Sequence, residues 1–112
     1  MEINDKRIVV TGAASGIGKA LCHAFKNSGA QSIVAVDINS EGISKTAKEV
    51  NGIGVVANVA KEEDIQRVIA EANQYSGGID IFCSNAGISG APGFIEANTE
   101  DWQNIWEINV MA

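Results

Sequence analysis

Four short apolar runs alternate with stretches whose apolar residues recur every three or four positions, and this alternation limits the chain more than any other feature. Ile8 to Thr11, Ser32 to Asp37, Ile53 to Ala57 and Ile79 to Ser84 are rich in β-branched residues and apolar on both faces, the pattern of strands buried inside a sheet. Helical spacing follows each of the first three. From Ser15 the apolar face runs Ile17, Leu21 and Phe25 with Ala20 and Ala24 between them, and Gly29 suits a left-handed cap. Ser40 is placed to cap a second helix carrying Ile43, Ala47 and Val50, which the Asn51-Gly52 turn ends. A third helix carries Ile65, Val68, Ile69 and Ala72. Ala60 is a poor cap for it, but Glu62, Glu63 and Asp64 favour the positive end of its dipole, and Gly77-Gly78 stops it. Thr99, with Glu100 and Asp101, opens a last helix. Strands apolar on both faces and separated by helices predict a parallel sheet covered on both sides, a doubly wound α/β layer with right-handed crossovers.

At 112 residues, with no linker, repeat or low-complexity tract, the chain reads as one domain over residues 1–112. The closing segment WQNIWEINVMA is an amphipathic pattern with no cap or polar tail after it, so that domain is expected to be incomplete at its C-terminal end. A net charge of −6, with no clustered Lys and Arg, argues against a nucleic-acid partner. No apolar run approaches the roughly 20 residues needed to cross a bilayer, and MEINDKRIVV lacks the pattern of a secretory signal, so no membrane partner and a cytoplasmic location are expected. Cys22 and Cys83 have neither metal-ligand spacing nor the numbers for a disulfide framework and are expected to be reduced and buried. His23 is expected at the surface, and Trp102 and Trp106, spaced i and i+4, are expected to pack the last helix.

The loop TGAASGIG follows the first strand directly and opens the first helix, with Gly12, Gly16 and Gly18 in the spacing G-x-x-x-G-x-G. Backbone N–H groups at a helix start, helped by the dipole, favour an anion, and glycine lets a diphosphate approach the backbone closely. A Walker loop is excluded, because Ala13 and Ala20 stand where a glycine and a hydroxyl are required; G-x-G-x-x-G is excluded by Leu21. Asp37 ends the second strand nineteen residues beyond Gly18, where a dinucleotide fold places the acid that accepts from the adenosine ribose hydroxyls. A carboxylate there repels a 2′-phosphate, and Ile38 and Asn39 supply no compensating cation, so NAD is expected in preference to NADP.

These residues resemble the short-chain dehydrogenases/reductases, whose fold is a Rossmann-type sheet; here its first four strands and their flanking helices are expected. Thr11-Gly12-x-x-x-Gly16-x-Gly18 is similar to that family's glycine motif, Ser84-Asn85-Ala86-Gly87 to its Asn-Asn-Ala-Gly motif, Asn58-Val59 to its adenine-contacting pair, and Asn109-Val110 to the Asn-Val of its fifth helix. The resemblance implies that Gly12, Ser15, Gly16, Ile17 and Gly18 line the diphosphate and ribose. It implies that Asp37 and Ile38 hold the adenosine ribose and flank the adenine, while Asn58 and Val59 meet the adenine edge. Asn85, Ala86 and Gly87 would then lie under the nicotinamide ribose, and Asn109 would be the tetrad asparagine that holds a relay water. Asn58 stands where the family more often has Asp, and Ser84 where it has Asn; the adenine contact is expected to be weaker for the first change.

The family's remaining chemistry needs a serine and a Tyr-x-x-x-Lys pair, in which the ammonium lowers the phenol's pKa from about 10 towards neutrality. The only tyrosine is Tyr75, followed four residues on by Ile79, so it is not that base. The resemblance therefore implies an oxidoreductase that passes hydride between NAD and a secondary alcohol or ketone in a complete, homo-oligomeric protein. These 112 residues alone are expected to be inactive and weakly stable. A non-catalytic NAD-binding module and an inactive remnant are the alternatives. The loop from Ile88 to Asn98 is expected to border the substrate.

Overall fold

The computed structural model describes residues 2–85. Within them run β1 (Arg7–Thr11), α1 (Gly16–Asn27), β2 (Ser32–Asp37), α2 (Ser40–Glu49), β3 (Ile53–Val56), α3 (Glu62–Ser76) and β4 (Ile81–Cys83). All strand pairs are parallel, in the order β3-β2-β1-β4. The chain steps outward from β1 to β3 and then returns to the other side of β1, which puts a topological switch between β1 and β4. The doubly wound parallel sheet expected from the alternation is thus present.

Alternation along the two central strands divides the core. Ile8 and Val10 of β1 with Ile33 and Ala35 of β2 pack against Cys22 of α1 and Ile43 of α2. Val9, Val34 and Val36 face the opposite way and pack with Val55, Ala57, Val68 and Ala72, so α3 covers that side. The flanking strands are less enclosed: Gly54 and Val56 of β3 and Phe82 of β4 are exposed among the described residues.

Several local expectations are corrected. The buried stripe of α1 is Gly18 and Cys22, supported by half-buried Leu21 and Phe25; Ile17 is 74% exposed, and Ala20 and Ala24 also face outward. The stripe is turned by one residue because glycine contributes the closest contact without contributing hydrophobicity. Asn39, not Ser40, caps α2: its side chain accepts from Gly42 N–H at 3.0 Å while its backbone is still extended. In α3 only Val68 and Ala72 are buried, and Ile69 is exposed. Strand β4 covers only Ile81–Cys83, preceded by Asp80, whose N–H bonds to Arg7 O at 2.8 Å, and Cys83 is half-buried. Both thiols are raised by burial, Cys22 to about 11, which keeps them protonated at neutral pH.

Arg7 and Asp80 clasp the end of the sheet at which the strands begin. The guanidinium donates to both carboxylate oxygens (2.9 and 3.0 Å) and to Gly77 O (3.1 Å), while Arg7 N–H adds a bond to Asp80 at 2.8 Å. Those bonds from Arg7 hold the Asp80 carboxyl far below the usual carboxylate range. A depressed folded-state pKa adds stability that is present above the unfolded value, about 3.9, and is lost as pH falls below it. The melting temperature should therefore fall more steeply below about pH 4 in the native protein than in Asp80→Asn. Superimposable acid limbs for the two proteins would refute this.

Candidate functional site

Parallel strands bring all their carboxyl ends to one rim. Gly12 to Gly18 follow β1, Ile38 follows Asp37 of β2, Asn58 and Val59 follow β3, and Asn85 follows β4. The described members of the expected site therefore share one edge, around the switch between β1 and β4 where α/β sheets hold ligands. Ala86, Gly87 and Asn109 lie outside the described residues, as do the last helix expected from Thr99, with Trp102 and Trp106, and the loop from Ile88 to Asn98.

The three glycines have different tasks. A Cβ on Gly18 would stand 2.1 Å from Gly12 O and 2.7 Å from Asn85 Nδ2, so Gly18 lets the helix start lie directly on the loop and on the end of β4. Gly16 has φ +58 and nothing within 4 Å of its Cβ position: its conformation favours glycine, and the space before it is open. Gly12 has φ 68, which turns the chain out of β1. Ser15 is the N-cap residue of α1, yet its side chain makes no capping bond, and the first turn of the helix has no acid. The N–H groups of Gly16, Ile17 and Gly18 find no acceptor among the described residues. Three donors, an open cradle and a positive helix end are what a diphosphate requires.

Asp37 closes the rim on the β2 side. Its Oδ2 accepts from Ala14 N–H and its Oδ1 from Asn39 N–H, each at 3.0 Å. Ile38 beside it is 67% exposed. The Asn58 side chain is partly committed elsewhere, since its Oδ1 accepts from Ala60 N–H at 3.0 Å in a turn that leads into α3. Asp64 fixes the same segment by accepting from Asn58 N–H at 2.7 Å. Val59 is buried.

At the switch, Thr11 and Asn85 interlock. Thr11 Oγ1 donates to Cys83 O at 3.3 Å and accepts from Asn85 N–H at 3.0 Å, while Asn85 Nδ2 donates to Thr11 O at 3.3 Å. Sequence reasoning did not single out Ala14, whose contribution is a backbone N–H, or Glu49. Glu49 Oε1 meets His23 Nε2 at 3.1 Å and Lys19 Nζ at 3.4 Å, and the His23 bond lowers the Glu49 carboxyl. His23 is thus a surface residue with a carboxylate partner. Among the described residues no group of His, Cys, Asp and Glu could hold a metal ion, and no helix is long and apolar enough to cross a membrane.

A glycine loop after the first strand, an acid on the tip of the second and an open switch define a doubly wound α/β protein with its candidate site on the carboxyl rim of the sheet. Residues 6–112 match the short chain dehydrogenase family, and the chain belongs to it. It is 34% identical over 115 residues to the 3-oxoacyl-[acyl-carrier-protein] reductase FabG of Thermotoga maritima, covering 98% of this chain and 46% of that protein. The 3-ketoacyl-(acyl-carrier-protein) reductase of Brucella melitensis, solved complexed with NADH, superposes with a TM-score of 0.90 at 32% identity over 96% of this chain and 46% of its own. A short chain dehydrogenase/reductase of Burkholderia phymatum, solved in complex with NAD, superposes with a TM-score of 0.92 at 26% identity over 99% of this chain and 41% of its own. The chain spans less than half the length of these relatives.

Proposed function

We propose that the whole protein is an NAD-dependent oxidoreductase passing hydride between NAD and a secondary alcohol or ketone, and that these residues grip the cofactor. The single observation behind this reading is the Asp37 carboxylate held beside an open glycine cradle with no cation next to it in sequence. Likeness to family members solved with NADH and NAD supports it. The residues fit the group: the N–H groups of Gly16, Ile17 and Gly18 face the diphosphate, with Gly12 giving close approach and the Ser15 hydroxyl a further donor. The Asp37 oxygens retain lone pairs for the ribose diol. Ile38 flanks the adenine, and Asn58 and Val59 meet its edge, Asn58 with the lone pair of its amide oxygen that the Ala60 bond leaves free. We assign Asn85, Ala86 and Gly87 to the nicotinamide ribose and Asn109 to the catalytic tetrad, as positioner of a water. When bound, the nicotinamide ring accepts or delivers the hydride. The remaining tetrad residues are assigned outside these 112 residues, which by themselves are expected to show no turnover. We place the whole protein in the cytoplasm as a homo-oligomer with a small-molecule substrate and without nucleic-acid or membrane partners.

Calorimetric titration of the whole protein with NAD and NADP tests the assignment. One carboxylate facing a 2′-phosphate is expected to separate the two by at least about 100-fold in favour of NAD. Equal affinity, or no saturable heat with either, would overturn it.

A further inference from the structure

We propose that Asp37 is also a positioning residue for the diphosphate-binding loop, a role that rests on the nucleotide reading above and extends it. The carboxylate accepts from Ala14 N–H at 3.0 Å, across 23 residues of sequence, and from Asn39 N–H at 3.0 Å. Ala14 lies in the middle of the glycine loop, one residue after Ala13, whose N–H bonds to Val36 O at 3.0 Å. On its other side Ala14 meets the first turn of α2: a Cβ added to Gly42 would lie 2.8 Å from Ala14 Cβ. Gly42 in turn is fixed by Asn39 Oδ1 at 3.0 Å. The loop is therefore held to the tip of β2 by a backbone bond at Ala13 and a charge-assisted bond at Ala14. Two residues further on begins the run of N–H groups assigned to the diphosphate.

The consequence separates this role from ribose recognition. An acid that served only the diol would leave the diphosphate grip intact when removed. An acid that also latches the loop takes part of that grip with it, and the loss appears even with a nucleotide that has no diol. Exchanging Asp37 for a small neutral residue to admit a 2′-phosphate would then weaken both dinucleotides rather than switch preference cleanly.

Two measurements on the whole protein test the latch. In the nucleotide-free protein, Asp37→Ala should speed amide hydrogen exchange at Ala14 by about tenfold or more, with Ala13 and Val34 unchanged as reporters of the neighbouring bond and of the core. In titrations with ADP and with 2′,3′-dideoxyadenosine diphosphate, the same variant should weaken the dideoxy nucleotide by about tenfold, and ADP by more. Asp37→Asn, isosteric but with one acceptor oxygen for two N–H groups, should weaken the dideoxy nucleotide by about threefold, and carries the test if Asp37→Ala does not fold. Unchanged Ala14 exchange, or dideoxy affinity within twofold of wild type in the variant that folds, would overturn the latch. Wild-type protein that binds neither nucleotide would instead overturn the nucleotide reading, and the exchange result would show separately whether the loop is latched.

Discussion

Gly18→Ala is expected to abolish useful nucleotide binding and to destabilise the domain, although it adds a single methyl group. Its Cβ would be placed 2.1 Å from Gly12 O and 2.7 Å from both Gly12 C and Asn85 Nδ2. Two of those atoms are backbone in the turn that leaves β1, so no rotamer change relieves the contact. Either the start of α1 or the loop must move by more than 1 Å. Overpacking of this kind typically costs about 1–3 kcal/mol, and a clash with backbone belongs at the upper end, about 3 kcal/mol. The same displacement moves the N–H groups of Gly16 and Ile17, and losing one or two hydrogen bonds to a charged diphosphate, about 1.5–3 kcal/mol each, weakens binding on the order of 100-fold. Gly16→Ala is the informative contrast. Its Cβ would meet nothing within 4 Å, but φ is +58, so the expected cost is about 1 kcal/mol of backbone strain together with a methyl group in the cradle. Thermal melts and NAD titrations of the two variants should therefore show a large stability loss only for Gly18→Ala and weakened binding for both. A Gly18→Ala protein with native melting temperature and affinity would show that the helix does not rest on the loop.

The difference between those glycines marks where sequence reasoning succeeds and where it stops. The continuous apolar runs of Ile8 to Thr11 and Ser32 to Asp37, set against the three-and-four spacing of Val68 and Ala72, are a direct imprint of burial, so class, element order and parallel pairing were legible. The placement of Gly12 to Gly18 and Asp37 on one rim follows from strand direction alone, because parallel strands end on the same side. Other features leave no such imprint. Gly18 is one of the two buried residues of α1, yet a hydrophobicity pattern gives it no weight and favours Ile17, which faces outward. Ala14 acts through a main-chain N–H that its side chain does not announce. Arg7 and Asp80 pair across 73 residues, and His23 and Glu49 across 26, distances over which spacing carries no information about contact. Asn58 could be assigned to the rim from its position, but its bond to Ala60 N–H depends on local backbone geometry.

Two threonines buried in the same domain are expected to respond in opposite directions to the same substitution. Thr11 is 1% exposed, and its hydroxyl both donates to Cys83 O and accepts from Asn85 N–H. Valine has the same shape but can do neither, so Thr11→Val leaves a carbonyl and an N–H at the end of β4 without that partner. Stranding buried polar groups costs about 1–3 kcal/mol, here about 2 kcal/mol. In a protein of the relatives' length that lowers the melting temperature by roughly 6 °C. The functional loss should exceed what stability alone explains, because Asn85 is held at the switch largely through Thr11; a tenfold or greater weakening of NAD is expected at temperatures where the variant is folded. Thr46 is fully buried on the inner side of α2, and its Oγ1 has no hydrogen-bond partner among the described residues. There the hydroxyl is desolvated without compensation, and Thr46→Val should stabilise by about 1 kcal/mol, raising the melting temperature by roughly 3 °C without altering NAD affinity. Helix propensity does not decide the matter, since threonine and valine are close on that scale. Calorimetric melts of the pair give a direct test of sign. If both variants shift the same way, burial and hydrogen bonding in this core are not divided between the two hydroxyls as the geometry requires.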